Sequence, residues 1–200
     1  SILSQSYKNI ELLVMDDCST DRTYDILKDI KDRRLRIFRN KDNQGLTKSL
    51  NILIKESKGQ ILARQDSDDI SLPTRLEVQF ENLHNLQLDG CTTRAYIQNS
   101  KRSIPRLSHL LPLSFVIKYK NPFIHGTLMV KKSAVIDVGM YDENIVYAQD
   151  YNLFIELLKK NYKIKILKKK LYVLNMENNI SSLRKEEQQY FFKKIQKGNL

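Results

Sequence analysis

An open α/β sheet of mostly parallel strands with flanking helices is the fold class that this 200-residue sequence predicts. Three observations carry it. Strand and helix signals alternate through the first half, the pattern of βα units around a parallel sheet. Leu12 to Met15 is an unbroken apolar run, fit for a strand buried on both faces. Two acidic turns, Glu11 to Asp21 and Gln60 to Asp69, each follow a short apolar strand directly. That arrangement sets carboxylates at the carboxyl ends of strands, the edge where open α/β sheets bind ligands.

The elements follow in order. After the strand at Leu12 to Met15, Ser19, Thr20 or Asp21 can cap a helix carrying Tyr24, Leu27 and Ile30 on its inner side. Leu35 to Phe38 is the next strand and Asn40 to Gly45 a turn. Leu46, Leu50, Leu53 and Ile54 recur at helical spacing until Gly59. Ile61 to Ala63 is a strand, and Pro73 suits the first position of a helix striped by Leu76, Phe80 and Leu83. Gly90 to Gln98 reads as a strand, and Asn99 to Asn121 as a loop bearing a short helix. Gly126 to Val130 reads as a strand, with Ser133 capping a helix closed by Gly139. Tyr151 to Leu158 is helical with Asp150 at its start. Ile164 to Leu167 and Leu171 to Leu174 form a strand pair, and Ser182 onward is a basic amphipathic helix with Tyr190, Phe191 and Ile195. The expected division is residues 1–181 as one domain and 182–200 as the C-terminal helix.

Composition narrows the class. The chain is 41% hydrophobic with a net charge of +11, and no apolar run reaches the roughly 18 to 20 residues of a membrane span. No charged-then-apolar leader opens it, and Cys18 and Cys91 show no metal-binding spacing, so a cytoplasmic setting is expected. Residues 1–100 balance 15 Lys/Arg against 15 Asp/Glu, whereas residues 101–200 carry 19 against 8. Seven lysines lie between Lys159 and Lys170. They make either a solvated surface or one that meets anionic lipid at the inner face of the membrane. Nucleic acid is not expected as a partner, because no aromatic RNA-binding signature or zinc-finger spacing accompanies the charge.

Asp16, Asp17, Asp66, Asp68 and Asp69 are placed to look into one crevice, where they would repel one another without a cation or a donor-rich ligand among them. A D-x-D triplet alone is weak evidence. The ordered set is specific: QSYKNIELLVMDDCSTDRT, then NQG, ARQDSDDISLPTRLEVQ, HGTLMVKKSAVIDVGMYDE and AQDYNLFIELL. It closely resembles the family 2 glycosyltransferases of the GT-A fold, from Ser1 to about Ser181. The resemblance implies a Rossmann-like sheet and transfer of a sugar from a nucleotide diphosphate donor to a glycan or lipid-linked acceptor in cell-surface polysaccharide synthesis.

By that resemblance, Asp16 and Asp17 recognise the base and ribose of the donor, with helix capping as the alternative for both. Asp66 and Asp68 match the D-x-D element that holds Mg²⁺ or Mn²⁺ against the diphosphate, and Asp69 stands beside them as a donor contact. Asp150 matches the general base of an inverting transfer, and a helix cap is its plainer reading. His125 is either a packing residue or a contact to acceptor or phosphate.

Departures matter as well. The chain opens at SILSQSY, inside what resembles the first helix of the family, so the first strand is expected to be missing from the sheet. Gln149 stands where Glu is common, and Cys18 replaces a usual Gly. Val173, Leu174 and Met176 occupy places where Tyr-Arg and a His usually stand. These departures support a second expectation, a truncated or decayed transferase that does not catalyse.

Overall fold

In the computed structural model, which describes residues 1–177 and 184–197, the chain forms a two-stranded sheet and a six-stranded sheet covered by helices. The first sheet pairs β1 (Leu12–Asp16) with β2 (Leu35–Arg39) in parallel. Between them runs α1 (Thr23–Asp29), and α2 (Leu46–Glu56) follows. The second sheet has the order β3 (Ile61–Ala63), β7 (Met129–Lys131), β5 (Gly90–Ile97), β8 (Ile164–Leu174), β4 (Ile70–Ser71), with β6 (Ser103–Ile104) paired to β5. Its longest pairing, β5 with β8, is parallel; the short strands join antiparallel.

Alternation of side chains along strands divides the core into two layers. On one face, Val130, Ile164 and Ile166 pack with α5 (Lys132–Asp137) and α6 (Gln149–Lys159), whose Tyr151, Leu153, Phe154 and Leu157 are buried. On the other, Met129, Cys91 and Leu167 meet Leu76 and Leu83 of α3 (Arg75–Asn85). Each buried Leu or Phe contributes about 1.5–3 kcal/mol of transfer free energy. The terminal helix α7 (Lys185–Gln196) buries Ile195 in the first layer, with Phe191 packed alongside. The proposed boundary at 181/182 lies outside the described residues.

Several expectations change on contact with the tertiary structure. Leu12 to Met15 is only half-buried, because β1 pairs with β2 alone and α1 has no buried residue. Among the described residues, no strand pairs the other edge of β1 or the outer edge of β3. Ile30, expected on the inner side of α1, caps its end and is exposed. The α2 helix ends at Glu56, three residues before Gly59, where Glu11 Oε1 accepts from the Lys58 and Gly59 N–H groups. Helix α3 starts at Arg75, two residues after Pro73. Ser133 is the second residue of α5 and makes no cap, and Gly126 to Val130 yields a strand only from Met129, since His125 to Thr127 is a 3-10 turn. The expected strand pair around Lys168 to Lys170 is one continuous strand, β8. Its register with β5 slips between Thr93 and Ala95, so Lys168 and Lys169 are accommodated as an irregularity without a turn.

Candidate active site

Two acidic turns that follow strands, the 125–127 turn before β7 and the first turn of α6 make up the candidate site. Asp16, the last residue of β1, is buried. Its Oδ1 accepts from the Ser19 N–H at 3.1 Å, and Arg39 Nε stands 3.0 Å from Oδ2 as an ion pair. That guanidinium is not aligned to donate, so Oδ2 is a buried acceptor without a hydrogen-bond donor among the described residues. Asp17 is used differently. It accepts from Asn40 Nδ2 (2.7 Å) and the N–H groups of Gln44 (2.9 Å) and Gly45 (2.8 Å), which ties the loop before α2 to β1. Burial raises its pKa, but those donors and the Ser49 hydroxyl together hold it below the usual range. The positive φ of Gly45, 85°, suits glycine at that loop end.

The second acidic turn follows β3. Asp66 Oδ1 pairs with Arg64 Nη2 at 2.5 Å, and its N–H donates to the Tyr172 hydroxyl at 3.2 Å. Arg64 also donates to the Gln65 carbonyl. Asp68 is exposed and has no protein partner in the described residues. Asp69 turns inward: its Oδ1 accepts from the Asn175 N–H at 2.6 Å, and burial, reinforced by Asp66 and Asp68 against the Asn175 and Tyr172 hydrogen bonds, pushes its pKa up to about 6. The trio therefore splits. Asp68 is exposed, Asp66 is half-buried against Arg64 and Gly126, and Asp69 fastens the turn to the end of β8.

Helix α3 supplies the scaffold beneath. Arg75, fully buried, donates through one nitrogen to the Arg64 and Gly126 carbonyls, both at 3.0 Å, and so joins the acidic turn to the His125–Thr127 turn. Gln79 donates to the Thr127 carbonyl at 2.8 Å. Burial lowers the Arg75 pKa to about 10. Gly126 leaves no room for a side chain: a Cβ there would stand 2.4 Å from the Tyr172 hydroxyl and 2.5 Å from Asp66 Oδ2.

Asp150 occupies the first turn of α6, after Ala148 in the left-handed region at φ 60°. Asn121 Nδ2 donates to its Oδ2 at 2.8 Å. His125 Nε2 and the Tyr141 hydroxyl lie 2.7 Å apart. Crowding around the His125 ring, then the nearby Arg64, push its pKa down to about 4 against the opposing pull of Asp150, so the ring is neutral near pH 7. Burial raises the Tyr141 pKa; Arg64 opposes this, while Asp150 and Asp66 add to it. Asp66, Arg64, His125, Tyr141 and Asp150 thus share one electrostatic neighbourhood. Asn51 of α2 holds its far wall, donating to the Tyr141 carbonyl at 2.8 Å and accepting from the Tyr141 N–H at 3.1 Å.

Sequence reasoning passed over Arg64, Asn121, Tyr141 and Tyr172. Arg64 sits inside the quoted ARQDSDD motif and Tyr141 inside HGTLMVKKSAVIDVGMYDE, and both could have been found there; Asn121 and Tyr172 join only through tertiary contacts. Val173 and Leu174 end β8, and Met176 lies just beyond it, whereas Asn178 to Ser181 fall outside the described residues. Among the described residues no three His, Cys, Asp or Glu side chains form a ready cation cage. Asp66 Oδ1 is taken by Arg64, which leaves its Oδ2 and the exposed Asp68 carboxylate as the hard oxygens of this turn.

A family model described as "Glycosyl transferase family 2" matches residues 1–144. The provisionally named glycosyltransferase EpsE of Bacillus subtilis (strain 168) is 33% identical over 180 residues, covering 86% of this chain and 64% of that protein. The Escherichia coli enzyme named UDP-Glc:alpha-D-GlcNAc-diphosphoundecaprenol beta-1,3-glucosyltransferase WfaP is 29% identical over 165 residues, 82% of this chain and 64% of that protein. The chain thus spans just under two thirds of these relatives. Among solved structures, S. aureus TarS 1-349 in complex with UDP superimposes with a TM-score of 0.76 at 20% identity, over 99% of this chain and 59% of that one. The mannosyltransferase PcManGT from Pyrobaculum calidifontis, in complex with GDP-Man and Mn²⁺, gives 0.68 at 17% identity over 92% and 53%.

Proposed function

The chain belongs to glycosyl transferase family 2, and from that premise we propose that it transfers a sugar from a nucleoside diphosphate donor to a glycan or lipid-linked acceptor in cell-surface polysaccharide synthesis. The observation that carries the reading is that His125 and the Tyr141 hydroxyl, 2.7 Å apart, both feel the charges of Arg64 and Asp150, so that the turn after β3, the first turn of α6 and the 125–127 turn act on one electrostatic neighbourhood. A relative whose name gives sugar transfer to a diphosphoundecaprenol-linked acceptor, and a neighbour holding UDP, support the substrate classes.

In this reading the buried, donorless Oδ2 of Asp16 accepts a hydrogen bond from an N–H of the base. Asp17 acts by fixing the loop that borders the base and ribose. Asp69 fastens the acidic turn on which the donor rests. Asp150 is the general base: it takes the proton of the acceptor hydroxyl as that oxygen attacks the anomeric carbon. The bond from that carbon to phosphate oxygen breaks, its electron pair leaves with the nucleoside diphosphate, and the sugar inverts. Asn121 aims the carboxylate. Neutral His125, held by Tyr141, offers a ring nitrogen to the acceptor or a phosphate oxygen. Asp66 and Asp68 would hold Mg²⁺ or Mn²⁺, which offsets charge on the departing diphosphate.

One observation favours a second reading. Arg64 Nη2 pairs with Asp66 Oδ1 at 2.5 Å, where a cation would have to bind, which fits a fold that binds donor weakly and does not turn over. Calorimetric titration with UDP and other nucleoside diphosphates, with and without Mn²⁺, tests both. Metal-dependent binding followed by sugar transfer supports the enzyme; no binding by the folded chain supports the second reading. The basic second half would face an anionic membrane at its inner side, where a lipid-linked acceptor resides.

A further inference from the structure

From Gly90 to Ile136 the chain has no Asp or Glu and eight Lys or Arg. Within this stretch the segment from Leu107 to Tyr119 turns five large apolar side chains outward. Leu107, Leu110, Leu111, Phe115 and Tyr119 are between 53% and 69% exposed. They lie on a firmly anchored base. Ser108, Val116 and Ile117 are buried, the Tyr151 hydroxyl donates to the Ile117 carbonyl at 2.7 Å, and Arg94 Nε donates to the Pro105 carbonyl at 3.0 Å. The rings of Phe115 and Tyr119 stand 5.1 Å apart, paired on the outer side of the segment that holds α4 (Leu113–Val116).

Beside these residues is a basic groove. The 3-10 turn Ser108–Leu110 rests against β8 and carries His109 into a cavity of ≈ 290 Å³ floored by Val78, Ile166 and Leu167 and bordered by Lys165, Lys168 and Lys169. Nδ1 of His109 is buried there without a partner among the described residues. One short turn thus places leucines outward and a ring nitrogen among lysines. The bulge in β8 is what brings Lys168 and Lys169 to the surface together.

We propose that the Leu107–Tyr119 segment docks this chain on an anionic lipid bilayer, with its apolar side chains entering the interface and the β8 lysines with His109 meeting headgroup phosphates. Binding of such surfaces scales with buried apolar area plus the attraction of each basic side chain to anionic lipid. Tyr119 suits the headgroup level, being apolar in its ring and polar at its tip. The complete lack of carboxylates across the stretch favours a phosphate-bearing membrane over a protein partner of mixed charge. The segment runs directly into Asn121, the residue bonded to Asp150, so a docked chain would present its acceptor side to the bilayer. That orientation rests on the sugar-transfer reading; the docking does not.

The test uses the 200-residue chain without nucleotide, so either proposal can fail alone. Vesicles of phosphatidylcholine with about 30% phosphatidylglycerol should sediment the wild type, and neutral vesicles should retain it at least about tenfold less well. Leu110→Glu with Phe115→Glu, and separately Lys168→Glu with Lys169→Glu, should each lower partitioning by about tenfold or more. Ile26→Glu, an exposed apolar site on α1, should leave it unchanged. Circular dichroism establishes that each variant is folded. The chain has no Trp, so Leu111→Trp gives a single reporter, expected to shift to the blue and to be quenched by brominated lipid. A folded wild type that ignores anionic vesicles, a Leu110/Phe115 variant that partitions like Ile26→Glu, an unshifted Trp, or self-association through this face in place of vesicle binding would overturn the proposal.

Discussion

Asn121 Nδ2 donates to Asp150 Oδ2 at 2.8 Å, joining the end of the Asn99–Asn121 segment to the first turn of α6. One carboxylate oxygen is therefore held, which leaves the other to accept a proton. In the transfer reading Asp150→Asn keeps the shape and loses the base. Donor affinity is expected within about twofold of wild type while turnover falls by about 10² or more, the contribution typical of general base catalysis. Single-turnover assays beside donor titration check this, and undiminished turnover removes Asp150 from the role.

Asp68→Ala is expected to abolish the metal dependence of donor binding without altering the melting temperature. Its carboxylate is exposed and has no partner among the described residues to lose. Isothermal titration with UDP at varied Mn²⁺, beside a thermal melt, separates the two quantities.

Asn51→Leu should destabilise the fold by about 2–4 kcal/mol, since it leaves both the N–H and the carbonyl of Tyr141 unpaired inside the protein. Thr47 also donates to the Ile145 carbonyl, so α2 grips the 141–148 stretch at two points. Urea unfolding checks the cost. A change below about 0.5 kcal/mol would show that water replaces the lost partners.

Gly126→Ala should cost about 1–3 kcal/mol and weaken donor binding, because the new Cβ collides with Asp66 Oδ2 and the Tyr172 hydroxyl. Gly139→Ala is a useful contrast. Nothing lies near a Cβ there, so its cost comes from a φ of 89° alone and should leave donor binding intact.

The His125 pKa, pushed down to about 4 by crowding and Arg64, ties folding to pH. Between about pH 6.5 and pH 4 the unfolded chain takes up the proton and the folded chain does not, so stability falls as pH is lowered through that window, by at most about 1.4 kcal/mol per pH unit. His125→Gln should show a shallower decline between those limits. A His125 NMR titration centred near pH 6.5 would contradict the assignment.

Much of the architecture was written in local pattern. The alternation of strand and helix, the acidic turns and the stripe of α3 needed only spacing and turn chemistry, and the ordered motifs sufficed for the family. Errors gathered where tertiary partners decide. Gly59 resembles a helix stop, but the Glu11 carboxylate binds the N–H groups of Lys58 and Gly59 beyond a helix that has already ended. Three consecutive lysines resemble a turn, yet β5 holds Lys170 in register and the neighbouring lysines reach solvent as a bulge.

The sequence by itself determined which carboxylates follow strands, and with them the family and the residues to suspect. Only the tertiary structure decided which of them are paired, because the pairing of a carboxylate depends on groups far away in the chain. Asp17 is consumed by Asn40, Gln44 and Gly45, and Asp69 by Asn175. Among the described residues, Asp16 Oδ2 is ion-paired with Arg39 but has no hydrogen-bond donor, Asp68 is unpartnered at the surface, and Asp150 is held by Asn121. Local spacing sets where a side chain begins. Burial and long-range hydrogen bonds set whether its charge is available.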